Sequence, residues 1–162
     1  MDYRIEHDSL GEKQIPVDAL YGIQTLRAAL NFPISEQSLL PEVVRAYALL
    51  KKSAAIVNRD LGKLDPAISK LITKVCREIL EKKHNSQFIV DVFQAGAGTS
   101  TNMNLNEVIA NRALELMGES KGSYDIVSPN DHVNMSQSTN DTYPTMMRVA
   151  LALQSKEFLK NL

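Results

Sequence analysis

Apolar residues in the middle of the chain recur at alternating intervals of three and four positions, which is the spacing of one face of an α-helix. The first such run predicts a helix from Pro41 to about Leu61, with proline at a favoured first position and Gly62 as the stop. This pattern assigns the following residues to its buried face: Val43, Tyr47, Leu50, Ala54, Val57 and Leu61. The chain is therefore expected to contain a long amphipathic helix.

The next helix pattern begins only a few residues later. Asp65 can cap its start, Pro66 fits its first position, and the basic residues 82–84 suit the negative end of its dipole. Its apolar stripe comprises Ile68, Leu71, Ile72, Val75 and Ile79. Cys76 lies beside this stripe, so we interpret it as a core residue and not as a nucleophile. Because the link after Gly62 is short, we predict that the two helices pack antiparallel.

Two further helices are predicted in the second half of the chain. One runs from about Asn102 to Met117 with Gly118 as its stop, and the other begins near Thr142 and continues to Leu162. Their inward positions are Leu105, Val108, Ile109, Ala113 and Leu116 in the first, and Met146, Val149, Ala150 and Leu153 in the second. Together with the two earlier helices, they predict a mainly α-helical fold.

The rest of the chain lacks this periodicity. Prolines and glycines interrupt every pattern in residues 1–40, so we expect irregular structure there with short strands. The segment QFIVDVF, residues 87–93, could form either a strand or a buried turn. Residues 119–133 are rich in Ser, Gly, Pro and Asp and predict a loop.

The composition of the chain narrows the class of protein. Of its 162 residues, 44% are hydrophobic and 23% are charged, which is typical of a globular domain. No apolar run approaches the roughly 20 residues that span a bilayer, and the N-terminus lacks the apolar segment of a secretory signal. The net charge of -1 offers no electrostatic reason to bind nucleic acid. One cysteine suits a reducing cytosol, so we expect a cytoplasmic protein without a membrane or nucleic-acid partner.

Two stretches combine many small and polar residues where a loop turns into a predicted helix. They are QAGAGTSTNMNLNEVIANRA, residues 94–113, and NDHVNMSQSTNDTYPT, residues 130–145. A helix N-terminus carries unpaired N–H groups and partial positive charge, so it can bind a carboxylate or a phosphate. The side chains that could add neutral donors are Thr99, Ser100 and Thr101 in the first stretch, and Ser136, Ser138, Thr139 and Asn140 in the second. The two stretches therefore predict an anion site.

A purely structural role for these polar residues is also open. Ser, Thr and Asn at helix starts commonly cap the helix, although a cap uses only one or two side chains. Asparagine is a poor choice inside a helix, and a buried amide needs hydrogen-bond partners. We interpret Asn106 and Asn111 as residues that tie neighbouring segments together, whereas Asn102 and Asn104 could do this or bind a ligand.

Neither stretch matches a nucleotide or metal site. The GAGT sequence lacks the Gly-Lys-Ser/Thr that ends a phosphate-binding loop, and it lacks the full G-x-G-x-x-G pattern. Asp131 and His132 are adjacent, which is poor ligand geometry, so we expect no metal and no cofactor. His132 could act as a general base or be a hydrogen-bonded loop histidine.

Both polar stretches resemble segments of the fumarase/aspartase lyase superfamily. The N-terminal sequence RIEHDSLGEKQIPVDALYGIQTLRAALNFPIS is similar to the opening of the aspartate ammonia-lyases in that superfamily, so the resemblance covers nearly the whole chain. Ser100 and the sequence YGIQTLRA, residues 21–28, favour the ammonia-lyases over the class II fumarases. Ser128 stands where many relatives have histidine, and Met135 where many have lysine. The first departure concerns the accessory dicarboxylate site of fumarases and leaves the main substrate motif intact.

The resemblance implies a three-domain, mainly helical enzyme whose central helical bundle assembles into a homotetramer. Residues 1–140 would form the N-terminal lyase domain, and residues 141–162 the first part of the bundle. The implied reaction is the reversible elimination of ammonia from L-aspartate to give fumarate. The residues carried over as ligands of the substrate carboxylates are Thr99, Ser138, Thr139 and Asn140, with Thr101 as a weaker candidate.

The resemblance also implies that this chain holds only part of an active site. It lacks the Thr-His segment of the superfamily and the flexible Gly-Ser-Ser loop whose serine acts as the base. No catalytic residue is therefore expected within these 162 residues, and we expect the chain alone to be inactive. A class II fumarase and a non-catalytic helical interaction domain are the alternative functions.

Overall fold

The computed structural model describes residues 2–160 and is mainly α-helical, as the periodicity predicts. The elements in chain order are β1 (Tyr3–Asp8), β2 (Gly11–Pro16), α1 (Ile23–Asn31), α2 (Pro41–Asp60), α3 (Pro66–Leu80), a short 3-10 helix (Asn85–Gln87), α4 (Thr99–Met117), a π-helical turn (Pro129–Val133) and α5 (Thr139–Lys160). Within this range, no helix combines the length and the apolar character that crossing a membrane would require.

The four predicted helices are confirmed, with shifts at two of their starts. The Asp65 carboxylate caps α3, because it accepts hydrogen bonds from the amides of Ala67 and Ile68 at 2.7 and 3.2 Å. α4 begins at Thr99, earlier than predicted, since Gly98 with φ +82° turns the loop directly into the helix. α5 begins at Thr139, and its predicted end at residue 162 lies outside the described residues.

The prediction of irregular structure in residues 1–40 is wrong in one respect, because residues 23–31 form α1. The expected short strands are present, and β1 pairs antiparallel with β2 so that Tyr3 lies opposite Pro16. α1 has neither a side-chain cap of its own nor an acidic residue in its first turn. Its start is stabilised by carboxylates from distant parts of the chain, which no local sequence signal reveals.

Glu107 of α4 and Glu6 of β1 bind the free N–H groups at the start of α1. The Glu107 carboxylate accepts from the backbone amides of Gly22 at 2.8 Å, Gln24 at 2.9 Å and Thr25 at 3.0 Å. Glu6 accepts from the amide of Ile23 at 2.8 Å. Both carboxylates are buried, and burial raises the pKa of Glu107. A Cβ at Gly22 would collide with both carboxylates, so this junction requires glycine.

The segment 87–93 forms a turn and not a strand, and it is buried only at Phe88, Val90 and Asp91, since Val92 and Phe93 are 38% and 58% exposed. Its backbone forms one isolated β-bridge, between Asp91 and Ser38. The Asp91 carboxylate accepts hydrogen bonds from the amides of Ser35 at 2.6 Å and Phe93 at 2.8 Å. Asp91 therefore joins the connection before α2 to the loop that leads into α4.

The buried face of α2 differs from the predicted one. Tyr47 is buried as predicted, but Val57 and Leu61 are 54% and 65% exposed. The buried residues of the helix are Val44, Ala46, Tyr47, Ala48, Lys51, Ala55 and Asn58. Lys51 and Asn58 occupy the inner face because they bind a loop that lies against it. Hydrophobic spacing cannot locate a face that is built partly from polar side chains.

The main core lies where α2, α3 and α4 meet, with α5 against α2 and α1 against α4. The predicted inward residues of α3 and α4 are mostly buried, and Cys76 is fully buried among them. Twelve of the 19 residues of α4 are buried, so this helix is enclosed on nearly all sides. In α5, Met146 and Ala150 are buried as predicted, whereas Leu153 is 49% exposed.

Replacing Glu107 with glutamine should destabilise the fold, because an amide NH2 would then face a backbone N–H group of α1. We expect the free energy of unfolding to fall by about 1–3 kcal/mol in a urea titration. Glu119→Gln is the matched control, since Glu119 is exposed. Equal stability of the wild type and the Glu107→Gln variant would show that Glu107 does not hold α1.

Candidate functional site

The two polar stretches meet where α4 and α5 begin. Asn102, in the first turn of α4, donates from its amide nitrogen to the hydroxyl of Thr139 at 3.0 Å. Gly98, just before α4, packs so closely against the ring of Tyr143 that a Cβ at this position would overlap the ring. The glycine therefore permits the close approach of the two helix starts.

Most of the predicted anion-binding side chains have free polar groups at this junction. Thr99, Ser138 and Asn140 are exposed, and their side chains make no hydrogen bond to any residue in the range 2–160. Thr139 is half-buried, and its hydroxyl oxygen accepts from Asn102. A hydroxyl that accepts one hydrogen bond still has its own proton to donate, so Asn102 orients Thr139 without consuming its donor.

The backbone at the start of α4 also has free donors. The preceding residue, Gly98, offers no side chain to cap the helix. The amides of Thr99 and Ser100 have no acceptor among the described residues, whereas the amide of Thr101 is bonded to Gln94. Free N–H groups at a helix start carry partial positive charge. The arrangement suits a carboxylate that approaches from solvent.

Thr101 is not part of this exposed group. It is fully buried, and its hydroxyl is within 2.8 Å of the amide nitrogen and 3.0 Å of the amide oxygen of Gln94. Its backbone amide donates to the same oxygen at 2.8 Å. Thr101 therefore holds the loop before α4 in place, and its hydroxyl does not point toward the junction with α5 as a free donor.

The asparagines of α4 have structural partners in most cases. Asn104 binds the amide of Ile89 and the carbonyl of Gln87. Of its two possible roles, these contacts support the structural one and not ligand binding. Asn111 binds the carbonyl of Leu20 and the amide of Gly122, as expected for a tie between segments. The prediction that Asn106 ties neighbouring segments together is wrong, because its buried side chain has no hydrogen-bond partner in the described part of the chain.

A cleft of about 560 Å³ lies beside Thr99 and contains charged residues that sequence reasoning missed. Lys13 and Arg27 both line it. Arg27 forms an ion pair with Asp8 at 2.8 Å, whereas Lys13 makes no ion pair within residues 2–160. The cleft therefore brings cationic side chains next to one predicted ligand, Thr99, although none of the residues that line it belongs to the second polar stretch. The chain brings Lys13 there through the β-hairpin, whose position beside α4 no local pattern predicts.

A buried lysine lies behind the second polar stretch. Lys51 has no exposed surface, and its Nζ donates to the amide oxygens of Asn134 at 2.9 Å and Gln137 at 3.0 Å. The same Asn134 oxygen accepts from Asn102 at 3.0 Å. Lys51 also lies 5.3 Å from the centre of the Tyr47 ring. Burial lowers the pKa of Lys51 to about 7.

The histidine of the second stretch lies in the π-helical turn. The Nδ1 atom of His132 accepts from the amide of Ser128 at 2.9 Å, and the Ser128 hydroxyl donates to Asp131 at 2.9 Å. His132 was predicted to be either a general base or a hydrogen-bonded loop histidine, and these contacts match the second alternative. They also show that the predicted loop of residues 119–133 ends in an ordered helical turn.

Comparison with known proteins shows that this chain is similar to lyases. A family model described as a lyase matches residues 11–162. An aspartate ammonia-lyase from a Bacillus species is 58% identical over 150 residues, which are 93% of this chain and 32% of that protein. A class II fumarate hydratase from Thermosynechococcus vestitus is 51% identical over 158 residues, 98% of this chain and 34% of that protein.

Solved structures agree with the sequence matches. The fumarate lyase:delta crystallin of Brucella melitensis aligns with a TM-score of 0.92 and 55% identity, covering 94% of this chain and 36% of that one. The class II fumarase of Schistosoma mansoni aligns with a TM-score of 0.90 and 38% identity, covering 95% and 33%. The fold is thus the predicted one, and the chain spans about a third of the length of the curated relatives it matches.

The lowered pKa of Lys51 predicts a pH-dependent stability. The folded chain releases this proton near pH 7, whereas the unfolded chain keeps it until its ordinary value near 10.5, so stability should rise with pH between these values. The slope from this one group is at most about 1.4 kcal/mol per pH unit. Denaturant titrations of the wild type and Lys51→Met should diverge by this slope. Parallel wild-type and Lys51→Met curves would contradict the prediction.

Proposed function

The chain belongs to the lyase family whose model it matches over residues 11–162, and we propose that it is the N-terminal part of an ammonia-lyase. This enzyme would convert L-aspartate reversibly into fumarate and ammonia, as the name of the Bacillus relative suggests. The curated relatives are about three times as long as this chain, so the activity is proposed for a longer protein.

One observation carries the proposal: two helix starts that meet through the contact of Asn102 with Thr139 both carry side-chain donors without a partner in the described range. Thr99, Ser138, Thr139 and Asn140 are the residues that would bind the substrate carboxylates. Removal of a proton beside a carboxylate creates additional negative charge on that carboxylate. Preoriented neutral donors stabilise such developing charge without reorganising. They also hold the ground-state dicarboxylate less tightly than a full cation would, which favours the rate.

The charge of the cleft supports a dicarboxylate substrate as well. Lys13 contributes a cation that is not neutralised by an ion pair within the described range. A positively charged rim attracts a dianion toward the site. Thr101 remains the weakest of the proposed substrate ligands, because Gln94 already engages its hydroxyl.

A class II fumarase is the second candidate function. The fumarate hydratase from Thermosynechococcus vestitus is nearly as similar to the chain as the ammonia-lyases are. Ser100 and the sequence YGIQTLRA, residues 21–28, favour the ammonia-lyase. Neither Ser100 nor residues 21–28 are among the proposed carboxylate ligands, so both candidate functions share the same binding residues.

The architecture of the longer protein is part of the proposal. Residues 1–140 would belong to an N-terminal domain, and residues 141–162 would begin a central helical bundle. The exposed apolar side chains of α5 would pack in that bundle, and they include Met147, Leu151, Leu153, Phe158 and Leu159. We further propose that the enzyme is a cytoplasmic homotetramer and that the catalytic base comes from outside this chain.

An activity assay separates the candidates. The full-length protein that carries this chain should form fumarate from L-aspartate, measured by the ultraviolet absorbance of fumarate, and should not form it from malate. The isolated 162-residue chain should be inactive with either substrate. Turnover of malate by the full-length protein would favour the fumarase. Inactivity with both substrates would favour the interaction domain, and turnover by the isolated chain would contradict the proposed external base.

Substitutions at the junction should separate binding from capping. In the full-length enzyme, Thr99→Val and Ser138→Ala should each lower kcat/KM for aspartate by roughly 100-fold, with unfolding free energies close to wild type. Ser120→Ala, at an exposed hydroxyl outside the two polar stretches, should leave kcat/KM unchanged. Thr101→Val should chiefly lower stability, since it removes the partner of Gln94. Lower stability without lower turnover for Thr99→Val would identify that residue as a helix cap.

A further inference from the structure

Lys51 is buried outside the proposed substrate contacts, yet it binds the segment that leads into them. We propose that Lys51 is a positioning residue that fixes the Ser138–Asn140 segment relative to Thr99. The inference rests on the proposed function of that segment, and its structural part can be tested without any activity.

The inner face of α2 carries three polar side chains that all reach the same segment. Lys51 donates to Asn134 and Gln137 at 2.9 and 3.0 Å. One turn earlier, the hydroxyl of Tyr47 lies 2.8 Å from that of Thr142 in α5. Two turns later, Asn58 donates to the carbonyl of residue 135 at 3.0 Å. Residues at these spacings share one helix face, so α2 supports the segment from both sides of Lys51.

The turn that Lys51 binds is closed by its own hydrogen bonds. The amide of Gln137 donates to the carbonyl of Asn134 at 3.1 Å, and the Asn134 side chain donates back to the carbonyl of Gln137 at 3.0 Å. Ser138 follows directly, and its carbonyl accepts from the amide of Thr142 at 2.9 Å. The turn and the start of α5 therefore form one continuous unit, and a displacement of the turn would move Ser138.

Lys51 also connects this unit to the helix that bears Thr99. The amide oxygen of Asn134 accepts from Lys51 and from Asn102 of α4 at the same time. Asn102 in turn orients the hydroxyl of Thr139. An apolar side chain could fill the volume of Lys51 but could not bind these amide oxygens, which would then be buried without that donor. The lysine therefore specifies a position and does more than fill space.

The placement bears directly on catalysis in the proposed enzyme. Thr99 belongs to α4, whereas Ser138 and its neighbours precede or begin α5, so no short stretch of backbone fixes their separation. Misplacing a binding group by about 1 Å can reduce turnover by about 100-fold. Lys51 and Asn102 jointly set this separation through the Asn134 oxygen.

Hydrogen exchange measured residue by residue in the 162-residue chain tests the structural part. In Lys51→Met, the amides of Gln137 and Thr142 should exchange about tenfold faster, since a buried donor that binds Asn134 and Gln137 is lost. Lys52→Met is the matched control on the same helix and should leave these rates unchanged. Ile79→Val lowers stability from the core of α3, so it shows how much of the change comes from general destabilisation.

The activity arm uses the full-length protein. Lys51→Met should lower kcat/KM for aspartate by about tenfold or more, whereas Lys52→Met and Ile79→Val should stay close to wild type. Faster local exchange with an inactive wild-type protein would reject the proposed function and keep the positioning role. Local exchange no faster than in Ile79→Val would overturn the positioning role, whatever the activity.

A milder variant covers the case in which Lys51→Met does not fold. Tyr47→Phe keeps the aromatic ring in the core and removes only the hydroxyl that contacts Asn102 and Thr142. The amide of Thr142 should again exchange faster than in the wild type, by a larger factor than the core amides of α3, and kcat/KM should fall. Unchanged exchange at Thr142 in this variant would show that the inner face of α2 does not hold the segment.

Discussion

The enclosure of α4 on nearly all sides constrains the rest of the structure, because polar side chains on a buried helix need hydrogen-bond partners. For four of the buried polar residues these partners come from other elements or loops, whereas Asn106 has no partner among the described residues. Glu107 holds the start of α1, Asn104 holds the turn before α4, and Asn111 holds the connections at residues 20 and 122. Asn102 links α2, the turn at residue 134 and α5. The helix thus orders the surrounding loops through side-chain hydrogen bonds as well as apolar packing.

The same constraint divides the polar residues of the two stretches into two groups. Buried side-chain amides such as that of Asn102 position backbone segments and other side chains. Thr101 belongs to the same group, because its hydroxyl is hydrogen-bonded to Gln94. Exposed groups such as Thr99 and Ser138 keep their donors free. The proposed anion site would therefore be rigid where it is buried and available where it meets solvent. That combination is what electrostatic stabilisation of a developing charge requires.

The accuracy of the sequence predictions follows the range of the interactions involved. The cap formed by Asp65 and the stop at Gly118 were predicted correctly, since both depend on neighbouring residues only. α1 was missed because the groups that stabilise its start come from Glu6 and Glu107, far along the chain. The buried face of α2 was misplaced because Lys51 is an interior residue there, and hydrophobic periodicity treats every lysine as a surface residue.

The sequence by itself determined helices α2 to α5, the family resemblance and the two polar helix starts, because periodicity, caps and motif order are local properties of the chain. It also identified Thr99, Ser138, Thr139 and Asn140 as candidate ligands of an anion. Only the tertiary structure decided which polar side chains keep a free hydrogen-bond donor and which are hydrogen-bonded within the protein, since that depends on partners from other elements. It alone brought Lys13 to the cleft beside α4 and Lys51 behind the Ser138 segment. A hydrogen bond between residues eighty positions apart leaves no pattern in one sequence.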